Sequence, residues 1–252
     1  MKKIVIIGAS SGIGQRIATD MARMGWRVGI AARREEPLKA IKEQFPANVA
    51  YSTIDVTAPD AAKRFLDLIE LIDGMDVLLY CSGVGHMNPD LKEAIDVNTV
   101  EVNCAGMVRI VDAAYNYFKA TANVDRGRIA VISSIAGTRG IGIAASYSAS
   151  KRFQRTYLDA LNQLAHQEHV NVGFTDIRPG FIDTPLLNGD TKFPMTMSLD
   201  QAAPLIEKAI TRGRRVATID SRWRIVDTLW RLIPGWAWRR IGLNPQQSTK
   251  TP

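Results

Sequence analysis

Tyr147 and Lys151 stand four residues apart in the stretch Ser146-Tyr147-Ser148-Ala149-Ser150-Lys151, on one face if the segment is helical. A phenol beside an ammonium can carry a proton. Free tyrosine ionises near pH 10, so acid–base work near pH 7 needs a shift of roughly 3 units, about 4 kcal/mol. An ammonium roughly 4 Å away supplies about that much at an effective dielectric near 20. The pair alone is not specific, because Tyr-x-x-x-Lys arises by chance on many helix surfaces.

A second group of residues has the chemistry of an anion cradle. Gly8-Ala9-Ser10-Ser11-Gly12-Ile13-Gly14 follows the apolar run Ile4–Ile7 and precedes a helical pattern through Ile17, Met21 and Met24, which Gly25 ends. Strand, glycine-rich turn and helix let the backbone approach a pyrophosphate whose charge the helix N-terminus attracts. The alternative is a merely tight turn. After the next strand pattern, Arg27 to Ala32, a site for NAD would place a carboxylate for the adenosine ribose. This chain has Arg33 and Arg34 instead. A guanidinium suits a 2′-phosphate, so the expected cofactor is NADP(H), with Arg33 the better candidate and Ser10 a helper. Two solvated arginines opening the next helix are the alternative.

These residues need a scaffold that brings them together. Apolar strand patterns at Val49 to Ile54, Met75 to Tyr80, Ile129 to Ile132 and Val170 to Thr175 alternate with helical patterns at Pro37 to Gln44, from Pro59 through Ile72, from about Leu91 to Phe118, and from Tyr147 to about His166. Such alternation implies an α/β fold, a doubly wound parallel sheet of Rossmann type. Ligands then bind beyond the carboxyl ends of the strands, where Asp55, Val56, Cys81, Ser82, Gly83 and the pair Ser133-Ser134 fall.

Composition narrows the class. The chain has 252 residues, 46% hydrophobic and 23% charged, which suits one large α/β domain or two small ones. No apolar run approaches the 18 or so residues of a membrane span, and Gly8 interrupts the opening run too early for a secretory signal. Two cysteines, Cys81 and Cys104, form neither a disulfide framework nor a metal site, and a cytoplasmic setting is expected. No histidine has metal-ligand spacing or stands in a triad motif. His86 either reaches the substrate or is an exposed loop residue.

Taken together, these motifs resemble the short-chain dehydrogenases/reductases over roughly residues 3–185. The resemblance rests on Gly8/Gly12/Gly14, Asp55, Asn103, Ser134 thirteen residues before Tyr147, Lys151, and Pro179-Gly180 followed by Thr184. It implies an oxidoreductase that interconverts a carbonyl and a secondary alcohol on a small, apolar substrate. Tyr147 would move the proton; Lys151 would lower its pKa and bind the nicotinamide ribose. Ser134 would hydrogen-bond the substrate oxygen, and Asn103 would hold a relay water. Cofactor contacts are expected at Gly8, Ser10, Ser11, Gly12, Ile13, Gly14, Arg33, Arg34, Asp55, Val56, Ser82, Gly83, Pro179, Gly180, Ile182 and Thr184, besides Tyr147 and Lys151. A homodimer or homotetramer is implied, with the helices around 91–118 and 146–166 as interface. A 3-oxoacyl thioester reductase and a non-catalytic NADP-binding regulator are the alternative functions.

The chain departs from the family at Ile7, usually threonine, and at Tyr80-Cys81-Ser82-Gly83, usually Asn-Asn-Ala-Gly. Linked changes are expected, with apolar packing between adjacent strand ends replacing a polar contact. Residues 185–198 read as a substrate loop, followed by a capping box at Ser198 and Gln201.

The formal charge of +7 lies at the C-terminal end. Eight arginines between Arg212 and Arg240 face two aspartates, and four of the five tryptophans lie in the same region. Residues 1–218 read as the catalytic domain and 219–252 as a basic extension, with Trp223, Val226, Trp230 and Ile233 at helical spacing. This segment either packs on the domain or a second subunit, or meets an anionic membrane or acidic partner through residues 219–240. Nucleic acid is not expected, since the segment lacks a binding motif.

Overall fold

The structure is a computed structural model that describes residues 1–121, 127–187 and 193–242. Strands and helices alternate: β1 (Lys3–Ile7), α1 (Gly12–Arg23), β2 (Arg27–Ala32), α2 (Glu35–Gln44), β3 (Val49–Thr53), α3 (Ala61–Leu71) and β4 (Val77–Tyr80). Then come α4 (Glu93–Val100), a π-helical turn at Glu101–Ala105, α5 (Gly106–Ala120), β5 (Gly127–Ile132), α6 (Ala145–Gln167) and β6 (Val172–Pro179). The chain continues with α7 (Leu199–Thr211), β7 (Val216–Ile219), α8 (Ser221–Leu232) and the short α9 (Gly235–Trp238). The described strands form one seven-stranded sheet, ordered β3-β2-β1-β4-β5-β6-β7, with every pair parallel.

Both faces of the sheet are covered, which explains the unbroken apolar strands. Val5 and Ile7 of β1 enter the core with Phe65, Leu68, Ile110 and Leu158 from α3, α5 and α6. Ile4 and Ile6, pointing the opposite way, join Ile17, Met21, Leu38 and Ile206 from α1, α2 and α7. These four β1 side chains, Ile4 to Ile7, are fully buried, each worth roughly 1.5–3 kcal/mol relative to exposure. Strand order reverses between β1 and β4, the place where open α/β sheets bind ligands. There Ile7 lies in register with Tyr80, the Cys81 amide donates to the Ile7 carbonyl at 2.8 Å, and the Tyr80 hydroxyl donates to Val102 at 3.2 Å. The two departures from the family pattern are thus neighbours, and the phenol's polar end is satisfied.

Two elements differ from expectation. β6 runs on from Thr175 to Pro179 through Asp176 and Arg178, buried charges that pair with each other at 2.6 Å and so do not end the strand. β7, the edge strand, lies hidden in the arginine-rich stretch, and the expected domain boundary at residue 218 falls inside it. β7 also divides the basic run. Arg212, Arg214 and Arg215 precede its amino end, whereas Arg222, Arg224, Arg231, Arg239 and Arg240 follow its carboxyl end. No helix among the described residues is long and apolar enough to cross a membrane.

Candidate active site

The glycine turn leads from β1 into α1. Gly8 has φ +93°, and a Cβ there would stand 2.6 Å from the Ser82 amide nitrogen; a Cβ on Gly14 would stand 2.2 Å from the Gly8 carbonyl oxygen. Only glycine allows the turn to close on the loop after β4. Ser11 takes the N-cap position in extended backbone, yet its side chain caps no amide, and the first turn of α1 contains no acidic residue. The amides at Gly12, Ile13 and Gly14 thus open an uncapped, positively polarised helix end. Thr184 closes over it, within 3.4 Å of where a Gly12 Cβ would be.

At the end of β2, Arg33 and Arg34 are both exposed. Arg34 donates to the Ser10 hydroxyl at 3.2 Å and the Ser10 carbonyl at 3.3 Å. The Arg33 charge is felt at Asp55. Asp55 accepts from the Thr57 amide at 2.9 Å and its hydroxyl at 2.8 Å, and these bonds, with the Arg33 charge, hold the carboxyl below its ordinary range. Ser10, expected as a helper in holding the 2′-phosphate, is thus tied to Arg34. Val56 is buried and packs so closely on Gly106 that a Cβ there would lie 2.6 Å away.

Tyr147, Ser134, Lys151 and Asn103 converge beyond β4 and β5. Tyr147 opens the first turns of α6, with its phenol close enough to the Ser134 hydroxyl for that group to favour its ionisation. Ser134 is buried just past β5, accepts from the Ala136 amide at 3.1 Å and reaches Pro179 at 3.4 Å. Lys151 is buried one turn along α6, donating to the Ile132 carbonyl at 2.9 Å and to Gln154 at 3.2 Å. Its ammonium lies over the Tyr147 ring, 5.7 Å from the centroid. The Ile132 carbonyl holds Lys151 where it faces this ring. Burial dominates the titration of both. It pushes Tyr147 up, against the pull of the Ser134 hydroxyl, and brings Lys151 down to about 8.

Asn103 is fully buried in the π-helical turn, a local rearrangement that redirects a side chain out of the helical ladder. Its amide donates to the Val84 carbonyl at 2.8 Å and to Ser150 at 3.0 Å, and its oxygen accepts from the Val84 amide at 2.8 Å. Gln154 holds the Asn103 carbonyl at 2.9 Å. Asn103 thereby fixes Gly83-Val84-Gly85 against the site. A Cβ on Gly85 would stand 2.8 Å from the Tyr147 ring, and one on Gly83 would stand 3.2 Å from the Asn103 oxygen. His86, next in this loop, is exposed.

Ile182 forms a bridge with Met197, and the Met197 amide donates to Phe181 at 2.9 Å, so the ends of the expected substrate loop are pinned together. Residues 188–192 of that loop lie outside the described residues. Phe181 stacks on Phe193, with centroids 4.4 Å apart, and meets Trp223 edge-on at 5.4 Å. A Cβ on Gly180 would collide with the Trp223 indole at 2.1 Å.

Behind Ser134 lies a buried ionic cluster that the sequence did not announce. Arg155, on α6 one turn beyond Lys151, donates to the Ser134 carbonyl and, at 2.9 Å, to Thr138. Asp227 of α8 accepts from Thr138 and faces Arg155 at 3.7 Å and Arg178 at 3.9 Å. Burial lowers Arg155 to about 10, helped by the Arg178 charge. The one signal was that Arg155 shares a helical face with Tyr147 and Lys151. Among the described residues no cluster could hold a metal ion, and burial raises the Cys81 thiol to about 12, leaving it unreactive.

A family model described as short chain dehydrogenase matches residues 2–193. An uncharacterized oxidoreductase of Myxococcus xanthus is 31% identical over 88% of this chain and 87% of its own length. Another, from Listeria monocytogenes, is 32% identical over 74% of this chain and 76% of its own. Among solved structures, an alcohol dehydrogenase from Thermococcus sibiricus complexed with 5-hydroxy-NADP is 25% identical with a TM-score of 0.74, covering 87% of this chain and 95% of that one. With the model spanning most of the sheet and every motif above, this chain belongs to the short-chain dehydrogenase family and is an oxidoreductase.

Proposed function

We propose that the protein interconverts a carbonyl and a secondary alcohol on a small, apolar molecule with NADP(H), using Tyr147 as general acid and base. The observation that supports this most directly is the meeting of the Tyr147 phenol, the Ser134 hydroxyl and the Lys151 ammonium at the carboxyl end of β5. The uncapped end of α1 fits a pyrophosphate. Exposed Arg33 and Arg34, with no carboxylate at the end of β2, fit a 2′-phosphate better than a ribose hydroxyl.

A bound nicotinamide dinucleotide would supply the hydride. The chain's own residues handle the proton and the oxygen. Ser134 offers its hydroxyl to the substrate carbonyl oxygen, polarising it. Tyr147, kept neutral by burial, gives that oxygen its proton: the phenol O–H bond breaks as the alcohol O–H bond forms. Lys151, still mostly cationic at neutral pH with a pKa of about 8, faces the ring and stabilises the resulting phenolate. Oxidation runs the same proton backwards. Asn103 positions the 83–85 loop against Tyr147 and Lys151.

Steady-state rates with NADPH and NADH across a panel of ketones and aldehydes test the reading. NADPH is expected to be preferred, and Arg33→Ala and Arg34→Ala should together raise its KM about ten- to a hundredfold, the value of a charged hydrogen bond, without changing that for NADH. Tyr147→Phe should abolish turnover. Equal use of NADH, or wild-type rates in Tyr147→Phe, would refute the corresponding half of the proposal.

A further inference from the structure

Helix α8 has a buried side and a separate, exposed apolar side. Trp223 and Asp227 face inward, 3% and 5% exposed. On the other side Ile225, Leu229 and Leu232 stand at i, i+4 and i+7, exposed by 64%, 55% and 74%. A helix that serves only to close a domain has no use for a second apolar stripe. α9, which follows directly in the chain, adds a further indole, Trp236, 60% exposed, over whose ring Arg240 lies at 5.6 Å.

The charges around this stripe are of one sign. Arg222, Arg224, Arg231, Arg239 and Arg240 surround it, and the acidic residue on these two helices, Asp227, is turned into the protein. Arg222 and Arg231 are tied to Asp220 and Asp227, but both remain about half exposed. An outward row of aliphatic side chains, a further exposed indole and a set of arginines have the chemistry of an anionic bilayer surface: hydrocarbon, interface, phosphate. A second copy of this chain fits less well, since two-fold packing of the stripe on itself would bring the arginines face to face.

We propose that α8 and α9 form a peripheral docking surface for an anionic lipid bilayer, with Ile225, Leu229, Leu232 and Trp236 entering the interface and the arginines meeting lipid phosphates. α8 begins where β7 ends, so the surface lies at the carboxyl end of the sheet, as Ser134 and Tyr147 do. The proposal stands independently of the catalytic reading.

Co-sedimentation of the full chain with phosphatidylcholine vesicles, with and without phosphatidylglycerol, tests it, beside sedimentation velocity without lipid. Binding is expected to require phosphatidylglycerol and to weaken with salt. Replacing Arg224, Arg239 and Arg240 by Gln should weaken it roughly hundredfold, at about fivefold per arginine near the surface. The triple variant Ile225→Ser, Leu229→Ser, Leu232→Ser should lose binding and keep the wild-type melting temperature, since these side chains are already in water. Failure of the wild type to sediment with phosphatidylglycerol vesicles overturns the proposal. So does an oligomer that the same serine variant dissociates, because a second copy then covers the stripe.

Discussion

Asp227 is the carboxylate on which α8 is fastened to the catalytic half of the molecule, and its removal can be worked through. Its oxygens take Thr138 and face Arg155 at 3.7 Å, Arg178 at 3.9 Å and Arg231 at 2.5 Å. Asp227→Asn keeps the shape and deletes the charge. Arg231, half exposed, can turn to water, but Arg155 and Arg178 are buried and would share Asp176 alone. Breaking a buried pair by removing one partner costs about 3–5 kcal/mol, and the escape of Arg231 favours the lower part of that range. At roughly 2–4 °C per kcal/mol for a chain of this size, the melting midpoint should fall by about 6–12 °C. Arg155 also carries the Ser134 carbonyl, so turnover should fall with little change in cofactor KM. Arg231→Gln, which loses a half-exposed ion pair, should cost under about 1 kcal/mol. Scanning calorimetry beside NADPH-dependent rates decides the matter. An Asp227→Asn protein that melts within a degree or so of the wild type would show that the guanidinium pair does not depend on this carboxylate.

Two further outcomes follow from the buried titrating groups. Lys151, brought down to about 8, binds its proton less readily folded than unfolded, so its contribution to stability should rise as pH increases from about 8 toward 10.5. Lys151→Met should therefore abolish turnover without lowering the melting temperature at pH 7, and loss of stability there would contradict a desolvated ammonium. Glu207 on α7, half-buried beside Asp20, is pushed up to about 7 by desolvation and the Asp20 charge. Folded it keeps a proton that the unfolded chain releases, so stability should fall as pH rises from about 4.5 through 7. Glu207→Gln should flatten that slope in urea titrations; an unchanged slope would refute the assignment.

The fold class, and the side chains proposed to react, were legible along the chain. Apolar strands covered on both faces are continuous, and the turn Gly8–Gly14 admits no other residue at its closest approaches, so both leave marks that can be read along the chain. Tyr147 and Lys151 share a helical face, a local relation. Other features depend on partners far apart along the chain, which come together only on folding. Asp176 and Arg178 read as the end of a strand until their pairing with each other and with Asp227 made burial tolerable. β7 was too short and too basic in its flanks to show a pattern, and placing it separated a single run of arginines into the two ends of a strand. The distance from Lys151 to Tyr147 was set by the Ile132 carbonyl, nineteen residues away, and by burial rather than by the four-residue spacing. Spacing fixes which side chains share a face; the strand packed against that face fixes where their charges point.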